Sequence, residues 1–127
     1  MKTTYFIIFM IPIFTTGCAT NSSNMRIGTD LSYTSLKDQR EAIIAIKEYS
    51  SLPEGASTLT KVDASRCHRN AMQTEPTEEE VKADLKVAAY AKGADGITDI
   101  KISKASGLLQ NCWSILNGEA TAIILPK

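Results

Sequence analysis

Hydrophobic positions recur with a readable period in three stretches of the chain. Between Glu78 and Lys92 the apolar residues Val81, Leu85, Ala88 and Ala89 fall at helical spacing, which predicts a helix laid on a core. Pro76-Thr77-Glu78-Glu79-Glu80 precedes them and reads as a capping box: Thr77 accepts from the Glu80 amide, and Glu80 reaches back to the Thr77 amide. The glutamates suit the positive end of the helix dipole and Lys92 the negative end, with Gly93 as the left-handed stop. From Gly96 to Ile102 the chain alternates, with Ile100 and Ile102 on one face of a strand. Ser57 to Ala64 alternates around Leu59 and Val62 and predicts a second strand.

The remaining pattern fills in around these elements. Ala42-Ile43-Ile44-Ala45-Ile46 is β-branched and reads as strand more than helix, followed by a turn at Pro53-Glu54-Gly55. Ser65 to Glu75, carrying Arg66, Cys67, His68 and Arg69, reads as a polar loop, and Ser103 to Asn111 as another. Cys112 to Leu116 and Ala120 to Leu125 form a last strand or a broken pair, with Asn117-Gly118 as a hairpin turn or a bulge. Strand, helix, strand in this order implies a right-handed crossover between two parallel neighbours, with the last strand returning antiparallel. The expected fold is therefore α+β: a small mixed sheet of three to five strands, one main helix packed on one face, and one disulfide.

The amino terminus has a different pattern. After Met1-Lys2, Tyr5 to Phe14 is a run of ten residues without charge. A membrane-spanning helix needs roughly 20 apolar residues, so the run is too short to span. A basic start, an apolar middle and small residues describe a secretory signal peptide. The small residues are Thr15-Thr16-Gly17, directly followed by Cys18. That stretch resembles the lipobox of bacterial lipoproteins, with threonine at position 15 where leucine is usual. The resemblance implies a diacylglycerol on the Cys18 thiol, cleavage before Cys18, and a fatty acyl (palmitate-type) chain on the new amine. Simple secretion, with Cys18 as a spare thiol, is the other reading of the same residues. Ala19, where aspartate would mark inner-membrane retention in related lipoproteins, implies the outer membrane.

This divides the chain into a signal peptide at 1–17, a lipidated amino terminus and polar tether at 18–40, and a periplasmic domain at 41–127. Cleavage would leave 110 of the 127 residues, enough for one small domain. Removing Lys2 leaves 13 basic side chains against 14 acidic ones, so no basic field favours nucleic acid.

With Cys18 acylated, Cys67 and Cys112 remain of the three cysteines. An exported chain lies where disulfides persist, and an even remainder points to one bridge. The expected topology agrees: Cys67 lies just past the end of the second strand and Cys112 at the start of the return strand, on one edge of the sheet. A loop of that span contributes about 4 kcal/mol in the chain-entropy treatment. A metal or redox pair is the alternative, but there is no C-x-x-C, and the single histidine, His68, adjoins Cys67. Trp113, beside Cys112, is expected to pack over the bridge, with an exposed partner anchor as the alternative. No nucleophile elbow, phosphate loop or paired-histidine spacing occurs, so the expectation is a protein with no catalytic residues, no metal ligands and no cofactor.

Pro53-Glu54-Gly55, Val62-x-x-x-x-Cys67, the capped helix, Gly93-Ala94-Asp95-Gly96-Ile97 and Gly118-Glu119-Ala120-Thr121-Ala122 together resemble the RcsF-like outer-membrane lipoproteins. Related small domains, described as heavy-metal binders, share the pattern across about residues 41–126. The resemblance implies an envelope-stress sensor that contacts the β-barrel assembly machinery and barrel proteins, then engages an inner-membrane regulator of an Rcs-type phosphorelay. Family domains carry two bridges; this chain matches one, with Asp99 and Asn117 near where the second would lie. The alternative is a structural or metal-binding, self-assembling envelope lipoprotein.

Overall fold

The computed structural model describes residues 25–27 and 34–127. The signal segment and Cys18 lie outside the described residues. The elements run β1 (Met25–Ile27), α1 (Leu36–Ala45), β2 (Lys47–Glu48), β3 (Ser57–His68), α2 (Glu78–Ala91), β4 (Gly96–Ser106), a 3₁₀ turn (Leu108–Gln110) and β5 (Ser114–Ile124). The strands form one mixed sheet in the order β1-β3-β5-β4-β2. The fold is α+β, with one face of the sheet under α2 and one disulfide joining Cys67 to Cys112.

The main helix follows its sequence pattern. Thr77 Oγ1 accepts from the Glu80 amide at 3.3 Å, and the Glu80 carboxylate accepts from the Thr77 amide at 2.8 Å. The carboxyl end closes as a Schellman motif: Gly93, at φ +79°, donates to the Tyr90 carbonyl, and Ala94 donates to that of Ala89. Val81, Leu85 and Ala89 face the sheet and are fully buried against Val62, Ala64, Ile97, Ala120 and Ala122. Burying a leucine or valine at such a contact contributes about 1.5–3 kcal/mol.

The topology corrects the expected crossover. β3 and β4 do run parallel, but β5 lies between them and pairs antiparallel with both. The parallel neighbour of β4 is β2, through Lys47 opposite Gly96 and Glu48 opposite Ile97. β5 is paired on both edges and carries Ala120 and Ala122 under α2, which is the position of a central strand. Asn117-Gly118 is neither a hairpin nor a bulge, because β5 stays in register there with β3 on one side and β4 on the other. The irregularities fall instead between Thr58 and Thr60 and between Thr98 and Lys101, where Asp99 takes φ +52°.

Two further elements differ from expectation. Residues 42–46 are not a strand: 42–45 continue α1, with Ile46 as its C-cap, and the helix begins five residues before the expected domain start. Ser35 caps it by accepting from the Asp38 amide at 3.1 Å, and Lys37 pairs with Glu41 one turn on. Only Ala42 and Ile46, four residues apart, are buried, so the helical period outweighs the small cost of β-branching. Ala42 packs on Val87 of α2, and the Tyr90 hydroxyl donates to Glu41, whose carboxylate raises the Tyr90 pKa. In the expected tether, Met25–Ile27 forms the edge strand β1, antiparallel to β3 with Met25 opposite Cys67.

Candidate functional site

Chemically distinctive groups gather at the end of the sheet where β3 and β4 finish and β5 begins. β3 extends past Ala64 to His68, so Arg66, Cys67 and His68 belong to a strand and not to the expected loop. Cys67 stands opposite Ile115 of β5 and is bridged to Cys112, which lies two residues before that strand, with a Cα–Cα separation of 5.6 Å. Cys67, Cys112 and Ile115 make a small buried cluster. The connection from β4 to β5 is tightly built. It winds through the 3₁₀ turn, passes Asn111 at φ +60°, and returns with the Cys112 amide donating to the Gly107 carbonyl at 2.9 Å. Gly107 has no room for a side chain, since a Cβ there would stand 2.5 Å from that of Cys112. The Trp113 amide donates to the His68 carbonyl at 2.8 Å, and His68 Nε2 lies 2.9 Å from the Gln73 carbonyl, to which it donates.

This ordered loop holds its apolar side chains outward. Leu108 is 79% exposed, Leu109 fully exposed and Trp113 66% exposed. Trp113 therefore does not pack over the disulfide; Ile115 does. Met72, on the neighbouring β3–α2 connection, is also exposed.

Arg66 projects to the helix side of β3 and meets Asp84 of α2 in two contacts, Nε to Oδ2 at 2.6 Å and Nη2 to Oδ1 at 3.0 Å. Glu80 lies 3.5 Å from the same guanidinium. Asp84 is 1% exposed, so this is a nearly buried, bidentate pair joining the end of the sheet to the first turns of the helix. The sequence signal was present but faint: Glu80 and Asp84 lie four apart on α2, on the side where Val81 and Leu85 were read as core. Lys104 of β4 bonds Glu75 in the β3–α2 connection and holds that carboxyl below the usual glutamate range.

The other face of the sheet carries polar residues. Lys61 and Asp63 of β3, Lys101 and Ser103 of β4, and Glu119 of β5 are exposed there. Ser65 donates to Asn117 Oδ1 at 2.7 Å across β3 and β5. Asn117 pairs in register with Ser103, while Asp99 sits in the β4 irregularity, so these two residues are not strand partners. Asp99 lines a cleft of about 530 Å³ with Glu48, Tyr49, Glu78 and Lys82. Among the described residues, no three His, Cys, Asp or Glu side chains gather as a metal-binding group. No described helix is long and apolar enough to cross a membrane.

No protein-family model matches the chain, and no curated protein matches it in sequence.

Proposed function

We propose that the protein is an outer-membrane lipoprotein, anchored through Cys18, whose periplasmic domain acts as an envelope-stress sensor by protein–protein contact with an Rcs-type phosphorelay. One observation carries the reading. Of three cysteines, Cys67 and Cys112 are consumed in a buried bridge, which leaves Cys18 as the one thiol, placed after an apolar run and a small residue. A bridge of this kind supports export, since it persists in an oxidising compartment. The domain works by binding and not by catalysis. The polar open face of the sheet, with its mixture of Lys61, Asp63, Lys101 and Glu119, suits reversible contact with a partner of mixed charge. The β-barrel assembly machinery, barrel proteins and an inner-membrane regulator are the partners that the RcsF-like resemblance points to.

The test is crosslinking of the full-length protein in intact cells, with and without envelope stress, and mass spectrometry of the captured chains. Barrel-assembly or inner-membrane regulator peptides whose yield changes with stress support the sensor. Capture of only a second copy, whatever the stress, rejects it in favour of a self-assembling structural lipoprotein. A metal-dependent rise in the melting temperature would favour the metal-binding alternative.

A further inference from the structure

We infer that the β4–β5 loop, through Leu108, Leu109 and Trp113, dips into the lipid bilayer beside the anchor, so that the domain stands on the membrane by this tip. The inference rests on lipidation of Cys18 and adds to it a second, non-covalent contact. It starts from the register of β1. Met25 lies opposite Cys67, and β1 runs antiparallel to β3, so the chain before Met25 arrives at the same end of the sheet as the exposed loop. Cys67 is bridged to Cys112 of that loop, so one strand pairing and one disulfide connect the entry point to the apolar tip.

The length of the intervening chain then sets the occupant. Seven residue steps separate Cys18 from Met25, and a fully extended chain covers at most about 3.6 Å per residue, so Met25 stays within about 25 Å of an acylated Cys18. β3, with 12 residues at about 3.3 Å each, is itself nearer 40 Å long. The tip end is consequently the membrane-proximal end, and a short tether keeps the loop at high effective concentration against the bilayer.

The composition of the loop suits that neighbour. Two leucines and a tryptophan, held outward on a backbone fixed by the disulfide and the Gly107 contact, match the membrane interface. There tryptophan places its ring among the headgroups and its N–H toward water. The charged residues at this end of the sheet are of both signs: Arg69 directly follows β3, and Lys104 of β4 bonds Glu75. The contact is therefore apolar and needs no anionic lipid.

Trp113 is the sole tryptophan, so it reports on its own position. The protein would be recovered from the membranes of cells expressing the full chain, its amino-terminal peptide weighed, and the material reconstituted in phosphatidylcholine vesicles. The expected result is an acylated Cys18, a blue-shifted Trp113 emission, and loss of that emission when the phosphatidylcholine carries bromines on its acyl chains. Leu108→Ser with Leu109→Ser should reverse the shift and the loss while the acyl anchor stays in place. An acylated Cys18 with Trp113 still open to aqueous iodide and indifferent to bromolipid overturns the insertion and leaves the anchor standing. Shielding that grows with protein density and ignores bromolipid means that a second copy covers the loop, and also overturns it. An unacylated Cys18 overturns both the anchor and the insertion.

Discussion

Replacing Gly118 with alanine tests how closely α2 sits on the sheet. In an open strand this substitution would stabilise by about 0.5–1 kcal/mol, because glycine loses the most backbone freedom on folding. At Gly118 the new Cβ would stand 2.4 Å from Val81 Cγ1 and 3.1 Å from Leu85 Cδ1. Carbon atoms rest about 3.5–4.0 Å apart, so the helix or its side chains must retreat by roughly an ångström. Val81 and Leu85 are both fully buried in the main core and have no solvent side to move into. Overpacking of this kind costs about 1–3 kcal/mol, and at a 2.4 Å approach the upper part of that range applies, so the net loss reaches up to about 2.5 kcal/mol. Urea denaturation with the disulfide intact should show a lower midpoint at unchanged slope. Val81→Ala removes the nearest methyls, so the double variant should fall short of the summed losses by about 0.5 kcal/mol or more. A Gly118→Ala protein as stable as the parent, or strict additivity with Val81→Ala, would refute the close approach.

Four other outcomes are expected. Replacing Cys67 and Cys112 together by alanine should cost about 4 kcal/mol, the chain-entropy value for a bridge closing 45 residues, read as a lower melting temperature; a loss under about 1 kcal/mol would mean the bridge does little. Thr98 is 1% exposed and its hydroxyl has no hydrogen-bond partner among the described residues, so Thr98→Val should stabilise by about 1 kcal/mol in the same assay. Asp84→Ala takes the bidentate partner from the Arg66 guanidinium in a largely buried site and leaves it Glu80 at 3.5 Å. It should therefore cost more than about 1 kcal/mol but less than a fully unpaired buried charge, which costs about 3–5 kcal/mol, whereas an effect near zero would show the guanidinium escaping to water. Because Lys104 holds the Glu75 carboxyl below its ordinary pKa, their bond is fully present above that ordinary value and lost as the pH falls through the lowered one; carboxyl NMR titration should find the depressed midpoint, and Lys104→Gln should restore it.

What the sequence could reveal depended on whether the signal was local. The α2 caps are written within a few residues of the helix they close, and they appear as expected. The β-branched residues of 42–46 suggested a strand, yet Ser35 and the Lys37–Glu41 pair, both upstream, start a helix whose period continues through them. Asn117-Gly118 carries the usual hairpin dipeptide, but the glycine is there to admit Val81, and pairing on both sides keeps β5 straight. Arg66 looked like a loop residue because its partner Asp84 lies 18 positions away on another element. β1 has only three residues and owes its place to backbone pairing with β3, which no side-chain pattern announces. The disulfide was legible because cysteine count and strand ends both pointed to it; the outward turn of Trp113 was not, because it follows from Ile115 filling the space over the bridge.

The constraints at the tip differ in kind, and each joins a different pair of elements. The disulfide links β3 to the β4–β5 connection, Arg66 and Asp84 link β3 to α2, and Lys104 and Glu75 link β4 to the β3–α2 connection. A connection needed only to reverse the chain between β4 and β5 could be a two-residue turn. Here seven residues are used, wound through a 3₁₀ turn and a left-handed asparagine, and fixed by a covalent bond. Ordering a loop costs conformational entropy, about 1–2 kcal/mol per residue for the backbone, which burial of apolar side chains ordinarily offsets. In this loop Leu108, Leu109 and Trp113 recover little of it within the chain, because they point to solvent. The disulfide makes such an arrangement stable by restricting the unfolded chain, so the apolar side chains remain available to something else. A preordered apolar tip loses less entropy on contact than a loose loop would, which is what the proposed insertion requires.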